Sequence, residues 1–164
     1  MFQLRLWYYD RMKFVTDLDE LLLIAHLDPV KNFSGYWRVS HQRNVVSQMS
    51  AYLSFGLCTD VPDSYDQLEL MSIKRESDID GWPHLSENNS VLVPYSLFTT
   101  VKSKGHARQL LTALLNWAHQ GGKIERFVTL SPDSKTVRSF HLHCGAQFLR
   151  NNGNGTVNYE YTLK

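Results

Sequence analysis

The sequence predicts one α/β domain, a mixed sheet carrying helices, and three observations lead there. The chain has 164 residues, enough for one core and short for two ordinary domains. Segments with strand-like alternation or short apolar runs are interleaved with segments of helical period, the clearest being residues 107–118. The resulting order, β-α-α-β-β-α-β-α-β-β, alternates helices with strands instead of segregating them, as a sheet flanked by helices requires. Residues 1–164 are expected to form this single domain; the sequence has no internal repeat, low-complexity tract or linker-like boundary.

Phe2, Leu4 and Leu6 alternate with Gln3 and Arg5 ahead of Trp7, Tyr8 and Tyr9, the pattern of a strand. Thr16 or Asp17 is placed to cap a helix through His26, with Asp19 and Glu20 near its positive end and Pro29 closing it. A second helix is expected over residues 36–57, where Val39, Val46, Met49 and Leu53 fall near one face before Gly56. Residues 60–66 read as a loop, 68–73 as a strand, and 75–89 as a long loop or irregular hairpin broken by Gly81, Pro83 and Asn88–Asn89. Residues 91–98 read as a strand in which Pro94 suits an edge, a bulge or a splayed segment better than a regular central ladder. Ala107, Leu110, Leu111, Leu114, Leu115 and Ala118 then form an apolar helical stripe that Gly121–Gly122 ends. A strand is expected over 124–130. Ser134 caps a helix over 135–143 that Gly145 ends, and two strands, 147–150 and 157–163, flank the turn-rich Asn-Asn-Gly-Asn-Gly.

Composition narrows the function classes. Seventeen Lys and Arg against 16 Asp and Glu leave a formal net charge of +1, which argues against nucleic-acid binding by bulk charge. Cys58 and Cys144 are two lone thiols, neither a disulfide framework nor a zinc site, and they fit a reducing compartment. The N-terminal residues alternate, unlike a signal peptide, and the longest apolar run, residues 21–25, is far too short to span a bilayer. A cytoplasmic protein with no metal, no membrane and no nucleic-acid partner is expected.

The chemistry concentrates where the 91–98 strand meets the 107–118 helix. A helix N-terminus presents unpaired N–H groups and the positive end of its dipole, and Gly105 lets an anion approach the backbone. Lys102, Lys104 and Arg108 surround that point with positive charge. A pyrophosphate-bearing ligand is one reading; a lysine-bearing loop before a core helix is the other. The glycines of a dinucleotide or nucleotide-triphosphate loop are absent.

Lys102-Ser103-Lys104-Gly105-His106-Ala107 resembles the acyl-CoA signature of the GNAT N-acyltransferase superfamily, which reads Gln or Arg, two residues, Gly, one residue, then Gly or Ala. Lys102 departs from it. Downstream, Phe140-His141-Leu142-His143-Cys144-Gly145-Ala146 is similar to the family's Phe-Tyr-x-Lys-x-Gly-Phe segment, with His141 replacing the tyrosine and Ala146 the last phenylalanine. The resemblance covers about 75 residues, from Val91 to the C-terminus, and the first half follows in element order only. It implies a central, mostly antiparallel sheet splayed between its fourth and fifth strands, with acyl-CoA in the resulting V. Pantetheine contacts are then expected near Leu97, Phe98 and Thr99, and pyrophosphate on the amides of Lys104, Gly105, His106, Ala107 and Arg108, with Lys102 and Ser134 nearby.

The resemblance also implies transfer of an acyl group, with acetyl-CoA the expected donor, to a primary amine on a small molecule or peptide. In that chemistry a neutral amine attacks the thioester, a base takes its proton and an acid protonates the thiolate. His141 stands in the acid's position, on the face of its helix shared by Val137, Phe140 and Cys144. It also reads as a hydrogen-bonded core histidine. The 91–98 strand has no carboxylate, so Glu69 is the base candidate, with His84 and Glu87 behind it; each also reads as a solvated surface group. His41, beside Arg38 and Arg43, is a candidate for the acceptor side. Leu130-Ser131-Pro132 is similar to a serine motif of the malonyl-CoA decarboxylases, and reads equally as a strand end before a turn. Dimers are common in the family, which leaves a homodimer open. The rival functions are an acyl-CoA-binding module without turnover and a partner-binding domain without CoA.

Overall fold

The computed structural model describes residues 21–26, 37–43, 48–72, 88–99, 105–121 and 123–163. In chain order these form β1 (Leu21–His26), β2 (Trp37–Arg43), β3 (Gln48–Cys58), α1 (Tyr65–Met71), β4 (Val91–Thr99) and α2 (His106–Gly121). The remainder contains β5 (Arg126–Val128), β6 (Ser131–Pro132), α3 (Lys135–His143), β7 (Gln147–Asn151) and β8 (Thr156–Tyr161). The expected strand over residues 2–9 lies outside the described residues.

The eight strands make one sheet in the order β1-β2-β3-β4-β5-β8-β6, with β7 also on β8. Every pairing is antiparallel except β4 with β5. The mixed α/β architecture that the sequence predicts is therefore present. Its N-terminal part is built differently from the expectation: residues 21–26, 37–43 and 48–58 are strands where two helices were expected. The cause is visible in β3, whose residues 53–58 are all buried. A central strand covered on both faces has no polar alternation, so its apolar residues mimic helical spacing. Residues 65–71 form a helix where 68–73 was expected as a strand; Ser64 caps it by accepting from the Gln67 N–H at 3.1 Å, and Leu68 is its buried anchor.

Two clusters fill the space on either side of the sheet. Leu53, Phe55, Leu57, Leu92 and Phe127 meet Leu110, Leu111, Leu114 and Ala118 of α2, with Val137 and Phe140 of α3 against them. Cys58, Val91, Val93, Tyr95, Val128 and Leu130 meet Leu68 of α1 in the second cluster. The stripe of α2 and the inward face of α3 pack as their periodicity predicts, while Ser139 and His143 stay exposed.

Candidate functional site

Strand β4 is paired along its whole length with β3, but its other edge is not. Strand β5 holds only Val91 and Leu92 in register, and one further bond joins the Leu130 N–H to the Pro94 carbonyl at 2.9 Å. Beyond that point the two strands part. The β3 pairing slips at the same place, with Ser54 opposite Ser96 and Phe55 opposite Pro94, so Tyr95 is the extra residue of a β-bulge. Proline has no N–H to give a ladder, and a bulge re-aims the strand; both act at the mouth of the V.

A cavity of about 470 Å³ occupies that V. Pro94, Tyr95, Ser96 and Leu97 of β4 form one wall, and Thr129, Ser131 and Pro132, which follow β5, form the other. Ala107 and Leu111 of α2 and Thr136, Val137, Phe140 and His141 of α3 close it, with Tyr65 of α1 at the rim. Much of the lining is apolar, and two of its hydroxyls, those of Ser131 and Thr129, are linked to one imidazole.

His141 is 5% exposed. Its Nδ1 lies 2.6 Å from the Tyr161 hydroxyl and its Nε2 lies 3.3 Å from the Ser131 hydroxyl. The Ser131 hydroxyl in turn donates to Thr129 Oγ1 at 3.1 Å, and Thr129 Oγ1 accepts from the Tyr159 N–H at 3.2 Å. The ring of Tyr159 stacks on the imidazole, with centroids 5.1 Å apart. Burial penalises a charged ring, so the His141 pKa falls from 6.5 to about 4. Burial likewise pushes the Tyr161 phenol up, assisted by the Cys144 thiol, so it stays protonated. At neutral pH the chain Tyr161–His141–Ser131 therefore carries hydrogen bonds but no charge. The sequence offers His141 as a general acid or as a hydrogen-bonded core histidine, and the structure buries it with both ring nitrogens hydrogen-bonded. Desolvation wins, and at neutral pH the ring has no imidazolium proton to give.

Neither a family model nor a curated protein sequence matches the chain. Solved structures do. AtaTR, solved with acetyl-CoA bound, superposes with a TM-score of 0.54 at 12% identity, over 87% of this chain and 95% of that one. An N-acetyltransferase from Staphylococcus aureus Mu50 gives a TM-score of 0.51 at 17% identity, over 79% of this chain and 68% of that one. The chain has the GNAT acetyltransferase fold. The microcin C7 self-immunity acetyltransferase MccE, solved with acetyl-CoA and AMP, matches 77% of this chain at 14% identity and a TM-score of 0.48; the chain spans 61% of that protein's length. At such identities the likeness is one of fold.

Within the GNAT fold, the residues singled out in the sequence are distributed unevenly. Leu97, Ala107 and His141 line the cavity. Phe98 and Thr99 lie on β4, where they pair with Tyr52 and Ala51. Gly105 stands before α2 at φ 73°, exposed, and its carbonyl accepts from the Gln109 N–H at 3.0 Å. His106 begins α2, and Arg108 is exposed in its first turn. Ser134 is the N-cap of α3, accepting from the Val137 N–H at 3.1 Å. Lys102, Lys104, His84 and Glu87 lie outside the described residues. Arg38, His41 and Arg43 lie on strand β2, not on a helix.

Glu69 is misplaced by the sequence reading. It sits on α1 rather than on a strand, is exposed, and does not line the cavity. No carboxylate is among the cavity's described lining residues. Tyr161 and Thr129 were not singled out at all. Their signal was faint: Tyr161 is one more residue in an alternating strand, and Thr129 precedes Ser131 by two positions, a spacing that in extended chain puts both side chains on one side.

Proposed function

We propose that the protein is an acyl-CoA-dependent N-acyltransferase, with acetyl-CoA as donor and a primary amine on a small molecule or peptide as acceptor. The reading rests on one observation: β4 and β5 part after Pro94 and leave a cavity lined by the open edge of β4 and by the first turn of α2. A pantetheine arm has polar groups along its length and suits an open strand edge, while a pyrophosphate suits a helix N-terminus entered through a glycine. The fold neighbours solved with acetyl-CoA support the same donor.

In this reading the amine attacks the thioester carbonyl directly. Neutral His141 donates from one ring nitrogen and accepts at the other, so with Tyr161 holding the ring it positions the Ser131 hydroxyl to hydrogen-bond the departing thiolate. The thiolate takes the proton that the amine loses. With no carboxylate among the cavity's described lining residues, the proton of the attacking amine leaves through water or through a group from outside that lining.

The experiment is a panel of amines incubated with acetyl-CoA, with thiol release as the readout and a binding titration beside it. Amine-dependent release supports the transferase. Binding without release by any amine favours an acyl-CoA-binding module, a reading supported by the uncharged His141 and by the absence of a carboxylate among the described lining residues. Absence of binding sinks both.

A further inference from the structure

The amine is not the only nucleophile that the cavity offers to a thioester. Ser131 is 5% exposed, yet it lines the cavity, and in the direct route its hydroxyl gives the thiolate a hydrogen bond without itself reacting. Its environment is that of an activated hydroxyl. A base, His141 Nε2, lies at 3.3 Å, and that base is oriented from its far side by the Tyr161 hydroxyl at 2.6 Å and from its face by Tyr159. A nucleophile, a base and a group that orients the base are the three parts that covalent catalysis needs. They come from three separated parts of the chain, β6, α3 and β8, so local sequence does not explain their meeting.

The geometry points to Ser131 as an internal acyl acceptor: with no amine present, the protein takes the acyl group of acyl-CoA onto Ser131 Oγ. The inference rests on the acyl-CoA reading above and adds a second fate for the acyl group. The step balances within the site. Ser131 Oγ attacks the thioester carbonyl and its proton passes to His141 Nε2. The carbon–sulfur bond breaks, the CoA thiolate leaves, and it takes that proton from Nε2. An ester on Ser131, free CoA thiol and a neutral imidazole remain. The required tautomer has Nδ1–H donating to the Tyr161 oxygen, which leaves the Nε2 lone pair facing Ser131. At rest the serine hydroxyl donates to Thr129 and accepts from Nε2–H, so the reactive arrangement takes a tautomer shift of the neutral ring and a rotation of the hydroxyl. Burial keeps the ring unprotonated at neutral pH, so it is free to accept, and the same burial makes it hand the proton on instead of holding it.

Two thiols are rival nucleophiles. Cys144 is half-buried at the end of α3, and burial raises its thiol pKa against the lowering effect of Arg108; Cys58 is fully buried with its thiol pushed up to about 12. Both are thiols at neutral pH and poor nucleophiles.

The test incubates the full chain with acetyl-CoA and no amine, quenches in acid, and measures intact mass and the peptide that carries any adduct. The inference expects a gain of one acetyl group per chain, mapped to Ser131, with a matching equivalent of thiol released. Ser131→Ala should lose the adduct, and Ser139→Ala, an exposed serine on the outer side of α3, should keep it. His141→Gln should slow its formation by about 100-fold or more, the usual weight of a general base. An adduct on Cys144, Cys58 or a lysine overturns the inference, as does acetyl-CoA binding with no mass gain. Both of those results leave the amine-transfer reading standing, whereas failure to bind acetyl-CoA removes the two together.

Discussion

Asn158 is fully buried, and its side chain makes four hydrogen bonds. Its amide nitrogen donates to the carbonyls of Pro62 at 3.1 Å and Thr129 at 2.9 Å, and its oxygen accepts from Arg150 at 3.1 Å and Asn152 at 3.1 Å. One residue of β8 thus ties the loop before α1 to the end of β5, next to the cavity wall at Thr129. Asn158→Ala removes one partner from four groups, and each buried group left without one costs about 1–3 kcal/mol. A loss of at least about 2 kcal/mol is expected in urea unfolding, with an unchanged m-value. His141 makes a prediction of a different kind. Unfolded, its ring binds a proton below pH 6.5; folded, it does so only below about 4. Between those values the unfolded chain holds the extra proton, so this contribution to stability is complete above pH 6.5 and is lost as the pH falls toward 4. The loss approaches about 3 kcal/mol. Unfolding free energies measured from pH 7 to 4.5 should fall steeply for the wild type and less so for His141→Gln; equal slopes would refute the assignment to this ring.

Helix α3 is the element on which the site depends. It carries His141, Phe140, Val137 and Thr136 into the cavity, and its entry is fixed by the Ser134 cap. Ser134→Ala should cost about 1 kcal/mol of stability, the usual worth of an N-cap. Thermal melts of the variant would show a lowered Tm, and an unchanged Tm would show that packing alone sets the helix. This helix was legible in the sequence to the residue, because a capping serine, an inward face and a terminal glycine all agree. The stripe of α2 from Ala107 to Ala118 was legible as well, and Leu110, Leu111 and Leu114 of it are buried. Strand β4 was legible too, and its proline gave early notice of the bulge. The strands β1 to β3 were not. A short apolar run such as Leu21 to Ala25 carries no period that separates strand from helix, and residues 53–58 of β3 are buried on both faces. Of the residues that line the cavity, Leu97, Ala107 and His141 were singled out from local motifs. The pairing of His141 with Ser131 and Tyr161 was not legible, because they reach it through contacts 10 and 20 residues away in sequence.

Across the whole molecule, the cavity lies on a seam. One wall belongs to β4, held in the sheet by β3; the other belongs to residues 129–132, held by β8. The seam is bridged by two register pairs and the Leu130–Pro94 bond, so a ligand lodged in it would touch both sides. Acetyl-CoA should therefore stabilise the fold by mass action, by about 2.7 kcal/mol at a concentration 100 times its Kd. Differential scanning fluorimetry should record a rise in Tm that grows with the logarithm of concentration, and a flat response at saturating acetyl-CoA would refute ligand binding at this seam.

Gly105 sets the direction from which α2 is entered, and its torsion has a consequence for handedness. At φ 73° an L-residue is strained by its own backbone, yet the nearest atom to an added Cβ is the tip of the Gln109 side chain at 3.8 Å. The position therefore discriminates chirality more than bulk. L-alanine at 105 should destabilise the turn and weaken acetyl-CoA binding together. A semisynthetic protein with D-alanine there should fold as well as the wild type, since the mirror-image residue prefers that torsion. If its affinity for acetyl-CoA is still lost, the methyl group stands where the ligand approaches; if affinity is kept, the pyrophosphate lies on the other side of the turn.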